Sequence, residues 1–111
     1  MNHQEFEMEF DKSVARSKRT LITKEKEYAL CGEDRLTQFK RAGEVQCVEP
    51  TEALVGMMTK HFTSICDMVK DPHNHNLRKW NEKIGDLRNY TFLLDALLRD
   101  MGREVFDGSN R

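Results

Sequence analysis

The stretch Trp80-Asn81-Glu82-Lys83-Ile84-Gly85-Asp86-Leu87-Arg88-Asn89-Tyr90 decides the fold class of this chain. Extended on both sides, it yields Leu77, Trp80, Ile84, Leu87, Leu94, Leu98 and Met101, apolar residues recurring every three or four positions. That spacing predicts one buried stripe on a long α-helix. Glu82, Asp86 and Asn89 fall on a second face, because residues three, four and seven apart stack on one side of a helix. Leu93 and Leu97 prolong this second face as apolar residues, so the carboxylates are expected to look into a groove. Two carboxylates and an amide at this spacing can ligate a hard cation such as Mg²⁺ through oxygen. The alternative is an acidic pair on a solvated helix face.

Working upstream from that helix, no segment alternates with a period of two for long enough to form a strand. Gln4 to about Leu30 reads as a first helix with Phe6, Phe10, Val14, Leu21 and Tyr28 as its apolar ridge, ended by Cys31-Gly32. Glu33 to Ala42 reads as a short helix with Leu36, Phe39 and Ala42 inward, closed by Gly43. Residues 44–49 connect it to a third helix over roughly Pro50 to Lys70, with Pro50 in the first turn. Its broad apolar face carries Leu54, Met57, Met58, Phe62, Ile65, Met68 and Val69. Asp71-Pro72 stops it, and Asn76 is the expected N-cap of the last helix, which extends to about Met101 and ends at Gly102. The expectation is an all-α helical bundle of three long helices and one short one. It forms one domain, residues 1–111, with its core at about 4–101 and a fraying tail at 102–111. The last helix is apolar on two sides, more than one neighbour covers, which points to a homo-oligomer, most simply a two-fold dimer. A monomer with a wide core is the alternative.

Bulk composition narrows the classes. At 111 residues, 38% hydrophobic and 33% charged, the chain suits one small helix-rich domain. A formal net charge of −1 argues against strong nonspecific nucleic-acid binding, which needs a basic surface, and against a DNA mimic, which needs a strongly acidic one. Cys31, Cys47 and Cys66 include no close-spaced pair, as in reduced thiols of a cytoplasmic protein, and give no zinc signature. No signal peptide is visible, and no apolar run approaches the ~20 residues that span a bilayer. A cytoplasmic location without a membrane partner is expected.

Three further groups could carry chemistry. His61 sits among Met57, Met58, Ile65 and Met68, at the centre of the third helix's apolar face, either hydrogen-bonded in the core or projecting into an internal site. Lys60 is on the outer face with Ser64 and Asp67. On the first helix Glu25 lies at the edge of the apolar ridge and is the better placed to meet Glu82 and Asp86 across a bundle, whereas Glu27 points outward. Arg35, Lys40 and Arg41 flank the short helix and could contact phosphate or form a solvated face. His73 and His75 read as surface residues.

Lys24 to Tyr28, Asp34-Arg35-Leu36 with Phe39, Met58-Thr59-Lys60-His61, and Trp80 to Tyr90 together resemble small phage-type proteins related to the all-α nucleotide pyrophosphohydrolases. That superfamily includes MazG-like enzymes, dimeric dUTPases and nucleotide-modification-associated domains. The resemblance spans about Ser13 to Asp100 and rests on order and spacing. It implies an oligomeric bundle that holds Mg²⁺ with helix-borne carboxylates and cleaves a nucleoside triphosphate to monophosphate and pyrophosphate. Glu82 and Asp86 would then be the second acidic motif, with Asn89 and Tyr90 following it. Glu25 and Glu27 would stand for the first acidic pair, and Lys60 would contact phosphate. The chain departs from the family pattern in two places. Glu25 and Glu27 are two apart, on different sides of a helix, and Glu82 and Asp86 are four apart where three is usual.

The leading expectation is a nucleotide-binding protein of a phage, with Mg²⁺ on Glu82 and Asp86. Glu25, Glu27 and His61 would serve catalysis, and Lys60, Arg35, Asn89 and Tyr90 would hold the nucleotide. The rivals are a non-enzymatic helical protein that blocks a host defence protein, and a sponge for a nucleotide signal.

Overall fold

The computed structural model describes residues 1–23 and 34–102. Every regular element among them is helical, and none is long and apolar enough to cross a membrane. The chain divides into two compact units, Met1–Glu33 and Asp34–Arg111.

In the first unit, α1 spans His3–Lys18. Its start is a capping box: Asn2 Oδ1 accepts from the Glu5 amide at 2.8 Å, and Glu5 Oε2 accepts from the Asn2 amide at 3.0 Å. The regular α-helix ends at Lys18 and widens into a π-helical turn over Arg19–Thr23, and the expected end at Leu30 falls outside the described residues. Residues 24–33 lie outside the described residues, and with them Lys24, Glu25, Glu27, Tyr28 and the Cys31-Gly32 ending. Phe6, Phe10 and Val14 were expected to be a buried ridge but are 57%, 57% and 41% exposed. Among the described residues of this unit there is no second helix for that ridge to pack on.

The second unit holds α2 (Thr37–Gln46), α3 (Pro50–Met68), a 3₁₀ turn (Pro72–Asn74) and α4 (Leu77–Met101). Asp34 prepares α2 by accepting from the Leu36 amide through Oδ1 at 2.9 Å and from Thr37 Oγ1 through its carbonyl at 2.8 Å. The helix does not close at Gly43. It runs on to Gln46 and ends in a Schellman arrangement, with the Val48 amide donating to the Gly43 carbonyl at 2.9 Å and Cys47 to Glu44 at 3.3 Å. Cys47 takes the left-handed position at φ 59°, a place usually given to glycine. Gly43 is instead needed for closeness. A Cβ there would stand 2.8 Å from the Val48 carbonyl oxygen and 3.1 Å from Pro50 N.

Pro50 occupies the first turn of α3, as expected, because its missing N–H costs nothing there. α3 and α4 form an antiparallel hairpin. Leu54 near the start of α3 clusters with Leu97 near the end of α4, and His61 stands opposite Asp86. At the connection, Trp80 Nε1 donates to the Pro72 carbonyl at 3.3 Å, and the Asn76 side chain caps α4 at the Lys79 amide. The core consists of Leu36, Phe39, Leu54 and Leu97, with Met57, Tyr90, Leu93 and Leu94 packed against it. Burial of a side chain such as Phe39, Leu54 or Leu97 contributes about 1.5–3 kcal/mol.

The buried stripe of α4 is not the expected one. Leu77, Ile84, Leu98 and Met101 are 73%, 46%, 44% and 46% exposed, while Leu97 is fully buried. Asp86, Leu93 and Leu97 of the expected second face, together with Tyr90 and with Leu94 of the expected stripe, form the side turned to α3 and α2, while Glu82 stays exposed. Both faces of this helix have helical periodicity, and what selects between them is the position of α2. Phe39 inserts beside Tyr90 with ring centroids 6.4 Å apart and claims the Leu93–Leu97 side.

Candidate functional site

The hairpin brings together residues from two separate stretches of sequence. His61, one turn past Met57 on α3, places Nδ1 3.5 Å from Asp86 Oδ2 on α4, and its side chain is 15% exposed against 38% for that of Asp86. Tyr90, one turn beyond Asp86, lays its ring against His61 with centroids 5.1 Å apart and planes 31° apart. Tyr90 in turn meets Phe39, so the imidazole is held between a carboxylate and an aromatic stack anchored in the core. Asn89, between Asp86 and Tyr90 in sequence, buries its Oδ1 without a donor among the described residues. Such an oxygen costs about 1–3 kcal/mol when left unpaired.

Next to this group, at the loop end of the hairpin, lies a half-open cleft of about 360 Å³. Ser64, Asp67 and Met68 line it from α3, His75 from the connection, and Lys79 and Lys83 from α4. Ser64 is one turn past His61, and Lys83 is one turn before Leu87, so the cleft continues along the seam that contains the His61–Asp86 pair. Met68, 3% exposed, is its apolar floor. The Lys79 and Lys83 side chains form no ion pair among the described residues, whereas Asp67 lies 3.7 Å from Lys70. The open cationic positions suit an anionic group on a ligand, with the Ser64 hydroxyl and Asp67 carboxylate available for neutral donors.

The other sequence candidates are distributed more widely. Glu82 is exposed, one turn before Asp86. Lys60 is exposed on the outer side of α3, and its carbonyl accepts from Ser64 Oγ at 3.1 Å. Spacing puts Lys60, Ser64 and Asp67 on one face, which places Lys60 a turn away from the cleft. Arg35 is half-buried in the turn ahead of α2. Glu25 and Glu27 lie outside the described residues. No three His, Cys, Asp or Glu side chains converge on one point among the described residues, so Glu82 and Asp86 by themselves supply less than the oxygen set of a hard cation.

Lys40, near the start of α2, donates to Asp34 and, at 2.9 Å, to Asp100 near the end of α4. The hydrogen bond from Lys40 and that from the Leu36 amide hold the Asp34 carboxyl below its usual range, and the two carboxylates raise Lys40. This clip fastens α2 over the far end of the hairpin, away from the cleft.

Sequence reading missed the cleft residues Ser64, His75, Lys79 and Lys83. The available signal was Lys79 and Lys83 four apart in the first two turns of a helix, flanked by a histidine loop. Compared with known proteins, this chain matches no family model, no curated protein and no solved structure.

Proposed function

We propose that this protein binds a nucleotide or similar phosphate-bearing small molecule in the hairpin cleft. The observation that carries the reading is a cleft of about 360 Å³ with two lysines that form no ion pair among the described residues, continuous with a half-buried His61–Asp86–Tyr90 group. Lys79 and Lys83 would meet phosphate oxygens as point charges, helped by the positive end of α4. Asp67 and Ser64 would accept from sugar hydroxyls, the Ser64 hydrogen being donated to the Lys60 carbonyl. Tyr90 and His61 offer stacking planes one to two turns deeper in the seam, with Asp86 keeping the imidazole oriented.

Cleavage to monophosphate and pyrophosphate is the enzymatic form of the same reading. It draws on Glu82 and Asp86 as carboxylates and on His61 to take a proton from water. A panel of nucleoside triphosphates, with and without Mg²⁺, tests both forms in one series. Ligand-dependent thermal stabilisation that Lys79→Ala and Lys83→Ala remove supports binding. Pyrophosphate release adds hydrolysis, while tight binding without release identifies a sponge. No thermal shift and no pyrophosphate with any member of the panel overturns the proposal.

A further inference from the structure

We infer that His75 is a third anion-binding group of the cleft, and that a dianion seated on Lys79 and Lys83 binds together with a proton on this imidazole. This role presupposes the anion-binding cleft proposed above and adds a residue to it, together with the charge of the group it selects.

Two histidines share the connection between α3 and α4, and they are placed differently. His73 is exposed in the 3₁₀ turn, whereas His75 is half-buried and lines the cleft. The His75 ring meets Trp80 edge-on, with centroids 6.0 Å apart and planes at 90°. Trp80 is itself held in place, because its Nε1 donates to the Pro72 carbonyl at 3.3 Å. The backbone at His75 is extended, φ −126° and ψ 134°, and leads into Asn76, whose side chain caps α4. The imidazole is thus packed against one aromatic ring, and it makes no hydrogen bond or ion pair among the described residues.

The charged groups that share the cleft with His75 are Asp67 on α3 and Lys79 and Lys83 on α4. Its own connection adds Asp71, which is exposed. Lys70 lies 3.7 Å from Asp67 but is 77% exposed and is not part of the lining. With His75 neutral, the lining carries a formal charge of +1, so a bound dianion takes it to −1 and a protonated His75 returns it to zero. Lys70 alters that total but not the sign of the coupling, since a negative charge beside an imidazole favours the charged ring. The coupling is reciprocal, so the charged ring tightens the anion by the same factor. Imidazole is the side chain whose charge changes between about pH 5 and pH 8. The group this arrangement selects is a terminal phosphate, which carries close to two charges near neutral pH, over a singly charged phosphodiester.

Sulfate is the probe, because its double charge is constant over this range and any change in affinity belongs to the protein. Trp80, the only tryptophan of the chain, reports binding by its fluorescence. The full chain should bind sulfate about three- to tenfold more tightly at about pH 5.5 than at about pH 8, the effect of one added charge in a half-open site. His75→Gln is expected to remove most of that dependence and His73→Gln to leave it. His75→Lys, a fixed positive charge, should hold the tighter affinity at both pH values, and methyl sulfate, a monoanion, should show a weaker dependence. An equal pH dependence in wild type, His75→Gln and His75→Lys overturns the inference. If Lys79→Ala and Lys83→Ala still abolish sulfate binding in that case, the cleft reading stands without it. A dependence that His73→Gln removes also overturns it. Sulfate binding that survives both lysine variants, or none at any pH, overturns the anion site and the role of His75 together.

Discussion

One substitution, made at two positions, should have opposite signs in this protein. Gly56 lies inside α3, exposed, and a Cβ added there meets nothing within 4 Å. Gly56→Ala therefore changes only the backbone preference of the unfolded and helical states, and should stabilise by about 1 kcal/mol. Gly43 lies inside α2, so the same propensity gain of about 1 kcal/mol is available to Gly43→Ala. Its Cβ, however, would stand 2.8 Å from the Val48 carbonyl oxygen and 3.2 Å from the Pro50 Cα, both backbone atoms that no rotamer change can move. Pushing them apart strains the Schellman closure and the entry to α3, an overpacking cost of about 1–3 kcal/mol or more. Because the 2.8 Å contact is to backbone, the upper part of that cost, about 2–3 kcal/mol, applies, and the net expectation is destabilisation by about 1–2 kcal/mol. For a unit of this size, each kcal/mol moves the midpoint by about 4–8 °C, so the two variants should melt about 8–24 °C apart on opposite sides of wild type. Thermal denaturation followed at a helical circular-dichroism band measures this directly, with urea midpoints as a check. If Gly43→Ala melts at or above wild type, the close approach of the Val48–Pro50 turn is not a constraint, and the account of how α2 ends is wrong.

Other perturbations test the core, the site and the clip. Leu97→Ala, at a fully buried position of the face that sequence reading left for ligands, should cost about 2–5 kcal/mol, whereas Leu98→Ala should cost under about 1 kcal/mol; urea denaturation of both decides which stripe is the core. Cys47→Gly relieves a left-handed residue and should raise the melting midpoint, with a gain of about 1 kcal/mol at most, because glycine also loosens the unfolded chain. Asn89→Leu removes a buried oxygen without a donor and should stabilise the free protein by about 1 kcal/mol while weakening any ligand that supplies that donor, a combination read by thermal shift with and without nucleotide. The clip gives a pH signature. Asp34 is depressed, so its contribution is present above the usual carboxylate pKa and is lost as pH falls through its lowered value. Lys40 is raised, so its contribution is complete below the usual lysine pKa and is lost as pH climbs through the raised value. Lys40→Met should flatten the stability profile at both extremes, by a small amount because the pair is open to solvent screening.

The helical class and most of its punctuation follow from residue order alone. Pro50 in the first turn of α3, Asn76 as the cap of α4 and the end near Met101 are local features, fixed by a missing N–H, a short acceptor side chain and a glycine. His61 stood out for the same reason, an imidazole centred on an apolar face, and its neighbours across the hairpin were among the residues already singled out. Tertiary structure decided what periodicity could not. α4 is periodic on two faces, and only the docking of Phe39 against Tyr90 chose Asp86–Leu97 as the inner one, leaving Leu77, Ile84 and Leu98 exposed. The end of α2 likewise moved past Gly43, because a glycine that terminates a helix and one that admits a neighbouring backbone look alike in sequence. The cleft was invisible for a related reason. Ser64 and Asp67 read as part of an outer face of one helix, and Lys79 and Lys83 belong to another, until an antiparallel pairing, closed by Trp80 on Pro72, puts all four on one seam.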